Sequence, residues 1–314
     1  MGLPQRKYRL TAKFDLQNPK MQEIENHQLL KQIGEGKYGE IWLAEHCHGG
    51  LRALKIVRSD RFKGSKPYDR EFYGIKKYEP VSQGHDELIN ILEVGRNEEE
   101  GFFYYTMELA DDRDYGQKFV PEKYRAKTLL SELRARGSFS IQDCLSLSLS
   151  IVQAVNCMHQ AGLVHRDIKP ANIVYLNGTP RLADIGSVKL LDDSISIAGT
   201  PGYMPLEGPG RPAGDIFSLG RVLYEMVTGK DCSKYPESLD SLEESIHPEL
   251  RGLRKIILKC CERMPEDRYP NADALARALN NVANPSSAKT SPTLIIGGFF
   301  ILGILIYTLY SLLN

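Results

Sequence analysis

The stretch His165-Arg166-Asp167-Ile168-Lys169-Pro170-Ala171-Asn172 places a carboxylate, an ammonium group and an amide within one short segment. Seventeen residues after Asp167 comes Asp184-Ile185-Gly186, which puts a second carboxylate on a tight turn. Phosphoryl transfer uses these groups: a carboxylate to accept a proton, a cation to cover the phosphoryl group, and oxygens to hold a divalent metal. The spacing therefore indicates phosphoryl transfer, with Asp167 and Lys169 as catalytic residues and Asn172 and Asp184 as metal ligands.

A second motif, Gly34-Glu35-Gly36-Lys37-Tyr38-Gly39, has the spacing GxGxxG. Dinucleotide-binding folds share this spacing, but in them the motif leads from a strand into a helix. Here Ile41-Trp42-Leu43 continues as a strand, which favours a glycine-rich hairpin whose backbone N–H groups approach phosphates. Lys55 is flanked on both sides by apolar residues, which argues against a solvated lysine on an edge strand.

Together these motifs resemble those of the eukaryotic-like (Hanks-type) protein kinases, and the resemblance covers residues 28–283. The segment from Gly199-Thr200-Pro201-Gly202-Tyr203 to Pro205-Leu206-Glu207-Gly208-Pro209-Gly210 is similar to that of bacterial members. Lys169, two residues after Asp167, is typical of serine/threonine kinases. The resemblance thus implies transfer of the ATP γ-phosphate, with Mg²⁺, to Ser or Thr hydroxyls of protein substrates, the chain itself included.

The implied fold is α+β and bilobal. A small N-lobe (28–109) would hold an antiparallel sheet and one helix, and a larger C-lobe (110–283) would be mainly helical. Five strands are predicted in the N-lobe and three of the helices in the C-lobe. Strands are expected at 29–33, 40–44, 52–57, 89–94 and 102–109, and helices at 67–78, 141–161, 215–228 and 250–262. Pro80 is expected to stop the N-lobe helix, and the polar stretch 111–127 receives no role.

The resemblance assigns ATP contacts to Ile33, Gly34, Glu35, Gly36, Lys37, Tyr38, Gly39, Ile41, Ala53, Lys55, Glu71, Met107, Glu108 and Ala110. Ile41 and Ala53 would sandwich the adenine ring, and the backbone of Glu108 and Ala110 would hydrogen-bond it beside the gatekeeper Met107.

Lys55 would contact the α- and β-phosphates and pair with a glutamate on the following helix. Glu71 fits best because Ile75 lies one turn later on the same face. Glu79 abuts Pro80 at the expected helix end and is the weaker choice.

The remaining implied roles concern activation and structure. Arg166 would bind a phosphorylated activation loop, with Ser194 and Ser196 as candidate phosphosites. Thr200 is expected to contact Asp167 and Lys169.

Two further polar groups are expected to support the fold rather than the reaction. Glu207 would pair with Arg268 as a structural ion pair. Asp215, at the start of a helix, would brace the catalytic loop.

Two other functions stay open. The first is a pseudokinase that binds nucleotide without catalysis, although Lys55, Asp167, Asn172 and Asp184 are all present. The second is a phosphotransferase acting on a small molecule, against which the activation segment and Glu207 argue.

Composition is that of an ordinary globular protein, with 42% hydrophobic and 25% charged residues. The 40 acidic residues balance 40 basic ones, so the net charge does not suggest nucleic-acid binding. The six cysteines show no CxxC pairing, which favours reduced thiols. A zinc site using His46, Cys47 and His48 is a minor alternative to a turn between two strands.

The two ends of the chain differ from the middle. Residues 1–27 are expected to form a polar arm without a signal peptide, and residues 284–293 a linker. Residues 294–313 contain no charged side chain, and twenty residues at about 1.5 Å rise span roughly 30 Å, the thickness of a bilayer's hydrocarbon core. We therefore predict a single-pass transmembrane helix in contact with lipid at the cell membrane, with the kinase domain in the cytoplasm. The alternative is a buried C-terminal helix of the C-lobe.

Self-association would permit autophosphorylation.

Overall fold

The computed structural model describes residues 24–36, 38–187, 189–190 and 199–285. Its N-lobe is an antiparallel sheet of five strands in the order β1-β2-β3-β5-β4, which confirms the predicted sheet. The strands are β1 (His27–Gly36), β2 (Gly39–His46), β3 (Leu51–Arg58), β4 (Ile91–Asn97) and β5 (Phe102–Met107).

Helix α1 (Ser65–Ser82) connects β3 to β4. Its buried residues include Tyr68, Glu71, Ile75 and Tyr78, which recur every three or four positions and form one face. The predicted stop at Pro80 is wrong, since the helix continues to Ser82. A proline removes only its own N–H from the helical hydrogen bonds, and in the last turn the loss of one bond is tolerated.

The C-lobe is mainly helical, as predicted. Its helices are α2 (Leu129–Arg136), α3 (Ile141–Gln160), α4 (Pro212–Thr228), α5 (Leu239–Glu243), α6 (Pro248–Cys260) and α7 (Ala272–Ala283). Two short antiparallel pairs carry the motif loops: β6 (Leu163–Val164) with β9 (Lys189–Leu190), and β7 (Ile173–Leu176) with β8 (Thr179–Leu182).

One cluster of buried apolar side chains extends through both lobes. It includes Ile75 on α1, Tyr105 on β5, Ile151 on α3 and, between the two motif loops, Ile168 and Ile185. Ile168 is fully buried and Ile185 almost so. Because these two residues stand inside the motifs themselves, core packing fixes the positions of the polar residues beside them.

The ends of the chain lie largely outside the described residues, which exclude 1–23 and 286–314 and therefore the predicted span 294–313. Ile24 is buried and forms a β-bridge with His27, so the last residues of the predicted arm pack on the N-lobe. In the part of the chain that the structure describes, no helix is both long and apolar enough to cross a membrane.

Candidate active site

The loop that carries the catalytic motif is held by a buried carboxylate. Asp215, near the start of α4, accepts the backbone N–H of His165 at 2.9 Å and that of Arg166 at 2.8 Å. Its Oδ2 also lies 2.8 Å from His159 Nε2. Arg166 has φ = 73°, a left-handed conformation that an L-residue seldom adopts. The two backbone N–H groups that donate to Asp215 stabilise this conformation, which turns the chain before Asp167.

Asp167 lies at the centre of a polar network. Its Oδ1 accepts the Thr200 hydroxyl at 2.6 Å, and its Oδ2 accepts Lys169 Nζ at 2.7 Å. Lys169 Nζ also donates to Thr200 Oγ1 at 2.8 Å. Asn172 Nδ2 donates to the Asp167 carbonyl at 2.8 Å and to Oδ2 at 3.1 Å. Both oxygens of the Asp167 carboxylate therefore have fixed donors, and one of those donors is already a threonine hydroxyl.

Lys55 on β3 and Asp184 after β8 join the two lobes. Lys55 Nζ donates to Asp184 Oδ1 at 2.8 Å, and Lys55 is buried. Burial alone would lower the pKa of Lys55, but the charges of Asp184 and of nearby groups, among them Glu71, outweigh it and hold that pKa above its ordinary value. The Lys55 charge lowers the pKa of Asp184 to about 2. Both groups are therefore ionised at neutral pH.

Glu71 lies beside the same ammonium group. A Cβ placed on Gly186 would lie 2.3 Å from Lys55 Nζ and 3.4 Å from Glu71 Oε1. The glycine of the Asp-Ile-Gly motif therefore leaves room for both charged groups. Glu79, the weaker candidate, pairs instead with Lys76 at 2.8 Å. The geometry thus favours Glu71 as the glutamate that accompanies Lys55.

A cavity of about 230 Å³ opens between the lobes beside these charges. Nine of the predicted residues line it: Ile33, Ile41, Ala53, Lys55, Met107, Glu108, Ala110, Asn172 and Asp184. Aliphatic side chains from β1, β2 and β3 cover one side, and the polar groups gather at one end. Within the described residues, neither the Glu108 carbonyl nor the Ala110 amide has a hydrogen-bond partner. The cavity can therefore take a flat, apolar ring whose edge bonds to backbone and whose anionic tail reaches Lys55.

The glycine-rich motif forms the hairpin between β1 and β2. Gly36 lies opposite Gly39 in the sheet register, and Gly34 lies opposite Ile41. A Cβ on Gly39 would lie 1.9 Å from the Ile56 carbonyl oxygen, so only glycine fits against β3 there. The strand–turn–strand arrangement matches the prediction. Lys37 lies outside the described residues.

Tyr38, at the tip of this hairpin, stacks on Phe62 with ring centroids 4.4 Å apart. Glu35 lies 3.2 Å from Arg61. These side chains do not line the cavity, so any contribution they make to nucleotide binding would pass through the hairpin backbone.

The predicted structural ion pair is present. Arg268 Nη1 lies 2.6 Å from Glu207 Oε1, and Nη2 lies 3.2 Å from Oε2. The guanidinium also donates to the carbonyls of Glu262, Ala213 and Arg263. Arg268 is buried. With this many partners in the C-lobe, the pair ties the end of the activation segment to the chain before α7.

The proposed phosphosites cannot be placed, because Ser194 and Ser196 lie outside the described residues. Arg166, their expected partner, is buried. The activation role stays a prediction.

Several residues that line the cavity were not predicted: Ile89, Tyr124, Ala126, Thr128, Ala171, Val174 and Ala183. Ala171, Val174 and Ala183 adjoin the motif residues Asn172 and Asp184, and that proximity was an available signal. Tyr124, Ala126 and Thr128 belong to the polar stretch and its end, where no periodic pattern pointed to a site.

The zinc alternative is answered in part by geometry. Potential ligand atoms of His46, Cys47 and His48 lie within 4.8 Å of one another, and so do those of His27, His46 and Glu93. However, Arg52 Nη1 lies 3.5 Å from His27 Nε2 and 3.8 Å from Glu93 Oε2. A guanidinium in that position repels a second cation, which disfavours a metal at His27, His46 and Glu93; the alternative at His46, Cys47 and His48 stays a prediction.

Comparison with known proteins agrees with this geometry. The protein kinase domain family matches residues 27–285, so the chain belongs to that family. A probable serine/threonine-protein kinase of Clostridium perfringens is 28% identical over 289 residues, which cover 84% of this chain and 39% of that protein. One of Corynebacterium efficiens is 26% identical over 297 residues, covering 85% and 43%. A calcium/calmodulin-dependent protein kinase type 1 of Macrobrachium nipponense is 26% identical over 253 residues, covering 76% and 66%. The chain spans less than half the length of these bacterial relatives.

Proposed function

We propose that this chain transfers the γ-phosphate of ATP to serine and threonine hydroxyls of proteins, itself included. The observation that carries the proposal is the Thr200 hydroxyl, which donates to Asp167 Oδ1 at 2.6 Å and accepts from Lys169 Nζ at 2.8 Å. These contacts show that a side-chain hydroxyl fits between the two residues that the reaction needs. The matched bacterial relatives are probable serine/threonine-protein kinases.

The residues around the cavity fit Mg²⁺ by their chemistry. Asn172 uses its amide nitrogen to hold Asp167, so its amide oxygen is the atom available to a metal. Asp184 uses Oδ1 to bind Lys55, so Oδ2 would be the metal ligand. Hard oxygen donors of this kind suit Mg²⁺, which would supply positive charge to neutralise the phosphates during transfer.

The chain's own residues would act on the two reacting partners separately. Lys55 would bind the α- and β-phosphates and hold the nucleotide, with Glu71 stabilising its charge. Asp167 would orient the attacking hydroxyl and accept its proton, and Lys169 would stabilise the charge of the transferring group.

The pseudokinase alternative requires a site that binds nucleotide but lacks a competent catalytic loop. Here Asp167, Lys169 and Asn172 form hydrogen bonds of 2.7–3.1 Å with one another. This organisation favours catalysis over a scaffold role.

The deciding experiment incubates the purified chain with γ-labelled ATP and Mg²⁺, with and without a generic basic protein substrate, and maps the labelled residues. We expect phosphoserine or phosphothreonine, and autophosphorylation within residues 187–200. ATP binding without any transfer would instead establish the pseudokinase, and label on small molecules alone would establish the other phosphotransferase.

For the location we propose a membrane anchor formed by residues 294–313, with the kinase domain on the cytoplasmic side, where ATP is available. The support is the uncharged, apolar composition of that segment. Deleting residues 290–314 should release a soluble, active domain from the membrane fraction. If the truncated chain still sedimented with membranes, or failed to fold, the segment would belong to the C-lobe instead.

A further inference from the structure

The stretch 111–127, which we call the brace, follows β5 and precedes α2. Although it contains no regular strand or α-helix, hydrogen bonds to one carboxylate organise it. Asp112 Oδ1 accepts the backbone N–H groups of Asp114 at 2.9 Å and Tyr115 at 2.8 Å, and Oδ2 accepts that of Arg125 at 2.8 Å. Asp112 is almost fully buried. The brace is therefore folded back on itself with its two ends close together.

The brace is attached to the C-lobe. The Asp111 carboxylate accepts the backbone N–H groups of Asn177 at 3.0 Å and Gly178 at 2.8 Å, in the turn between β7 and β8. The Asp111 N–H donates to the Tyr175 carbonyl at 2.7 Å, and the Tyr175 N–H donates to the Lys127 carbonyl at 3.0 Å. Both ends of the brace are thus bound to the hairpin that follows Asn172.

The brace also reaches the N-lobe. Lys31 Nζ donates to the backbone carbonyls of Glu122 at 2.8 Å and Tyr124 at 2.9 Å. Lys31 lies on β1, three residues before Gly34. A single ammonium group therefore links the glycine-rich strand to an element fixed on the C-lobe, in addition to the covalent connection after β5.

The brace finally closes the cavity. Tyr124 is 2% exposed, lines the cavity and donates its hydroxyl to the Ala110 carbonyl at 3.0 Å. The N–H of the same peptide unit, on Asp111, is bound by Tyr175. This peptide is therefore held from both sides, and its carbonyl already has a donor.

We infer that the brace is part of the nucleotide site: Lys31 latches the glycine-rich strand to the C-lobe around the bound nucleotide, and Tyr124 is a positioning residue that restricts which purine edge the cavity accepts. The inference rests on the proposed function, because it assigns the occupant of the cavity as ATP.

The latch should act through lobe closure. A nucleotide that touches both lobes binds the closed arrangement best, and contacts made only in that arrangement raise its population and hence the apparent affinity. Removing the Lys31 ammonium removes such contacts while the Lys31 side chain itself lies outside the cavity lining; of its two acceptors, only the Tyr124 carbonyl belongs to a lining residue.

Tyr124 restricts the choice of purine because of the sequence of backbone donors and acceptors along the cavity edge. Along the cavity edge the backbone offers the Glu108 carbonyl, the Ala110 N–H and the Ala110 carbonyl, in the sequence acceptor, donor, acceptor. Adenine offers a 6-amino donor and the N1 acceptor, which match the first two. A purine with an added 2-amino group would bring a donor to the third, where the Tyr124 hydroxyl already takes one of the two lone pairs and competes with the incoming donor.

The first test measures the dissociation constant of Mg·ATP by calorimetry for the wild-type chain, Lys31→Met and the control Lys123→Met, whose side chain is exposed on the same element. We expect Lys31→Met to weaken Mg·ATP binding by about threefold to tenfold, because it loses partly exposed, charge-assisted hydrogen bonds. The dissociation constant of Lys123→Met should equal that of the wild-type chain. Equal affinities of both variants would overturn the latch. A wild-type chain that binds no ATP would instead defeat the proposed function.

The second test compares ATP with its 2,6-diaminopurine analogue in the wild-type chain and Tyr124→Phe. The wild-type chain should gain little from the 2-amino group. In Tyr124→Phe the analogue should gain about fivefold relative to ATP, because its 2-amino group no longer competes with the Tyr124 hydroxyl for the Ala110 carbonyl. An unchanged ratio would overturn the role given to Tyr124.

Discussion

Lys55–Asp184 and Arg268–Glu207 each join a buried cation to a partly exposed carboxylate, but their surroundings differ. The first pair joins the two lobes and borders the cavity, and only one Asp184 oxygen is bound by Lys55. In the second pair both carboxylate oxygens are bound, and the guanidinium also donates to three backbone carbonyls. A carboxylate with an oxygen facing a cavity can serve a ligand, whereas a saturated pair can serve only the fold.

Because of this difference, mutations in the two ion pairs should affect different properties, catalysis in one case and stability in the other. Breaking the pair at the cavity by removing Asp184 should mainly cost catalysis, since Glu71 remains beside the buried Lys55 ammonium and limits the loss of stability. Breaking the saturated pair by removing Arg268 should cost stability, because the Glu207 carboxylate and three backbone carbonyls lose their donor. Activity measured per folded molecule should then stay close to that of the wild-type chain.

The largest effect is expected for Asp184→Ala. Single groups that stabilise charge during phosphoryl transfer can contribute about 10³–10⁵ in rate, and this change also removes the proposed metal ligand. We expect transfer to fall by about 10³-fold or more and Mg·ATP to bind more weakly. Asp240→Ala, which removes an exposed partner of Arg254, is the control. Unchanged Mg·ATP affinity and rate in Asp184→Ala would contradict the metal assignment.

Asp167→Asn should also reduce transfer, but through the hydroxyl rather than the nucleotide. A positioned general base contributes about 10²–10⁴-fold, so we expect a loss in that range with ATP affinity near that of the wild-type chain. The asparagine can keep its oxygen toward Lys169 and donate from Nδ2 to the Thr200 hydroxyl oxygen, so the fold should be kept. Steady-state rates on a protein substrate, together with ATP titration, measure both quantities. Full turnover in this variant would remove Asp167 from the mechanism.

The saturated pair is tested by Arg268→Met, which keeps much of the side-chain volume. Arg268 is buried and donates to three backbone carbonyls as well as to Glu207, so its loss should cost about 3 kcal/mol, or roughly 10 °C in melting temperature for a domain of this size. Arg268→Lys keeps the charge but loses the two-pronged geometry and should be intermediate. If Arg268→Met melted like the wild-type chain but lost activity when folded, the contrast between the two pairs would be wrong.

Much of the fold followed from local patterns. Alternating and helical spacing, with glycines at the turns, placed the five strands and the long helices to within a few residues. The errors come where tertiary contacts decide. Pro80 lies inside the last turn of α1, and α7 was not anticipated although Asn271 caps it through Ala274 N–H.

The candidate site was predictable where it is coded by contiguous motifs, as at residues 165–172 and 184–186. The brace was not, because its order comes from Asp111 and Asp112. Asp111 bonds backbone groups 66 and 67 residues away, a separation that no local pattern reports. Tyr124 therefore looked like one more residue of a polar stretch, whereas it is a buried wall of the cavity.

A buried carboxylate without a cationic partner gives the smallest effect and sharpens the comparison of the two pairs. Glu225 on α4 is bound by a hydroxyl and a backbone N–H rather than by a cation: its Oε1 accepts from Tyr203 at 2.7 Å and from Cys232 N at 2.6 Å. Burial raises the pKa of Glu225 above its ordinary value of 4.5, although both hydrogen bonds oppose the shift.

Because the folded-state pKa of Glu225 lies above the unfolded one, the stability from its bound proton is fully present below pH 4.5 and is lost as the pH rises through the folded pKa. Glu225→Gln keeps Oε1 as an acceptor and has no proton to lose. Its melting temperature relative to the wild-type chain should therefore increase from pH 4.5 to pH 8, by less than the drop caused by Arg268→Met. Glu237→Gln, at an exposed partner of Lys230, should show no such trend. If Glu225→Gln instead lost stability relative to the wild-type chain as the pH rose, the ionised carboxylate would be the stabilising form, as it is in the two cation pairs. The distinction between acids that pair with a cation and a buried acid held by uncharged donors would then fail.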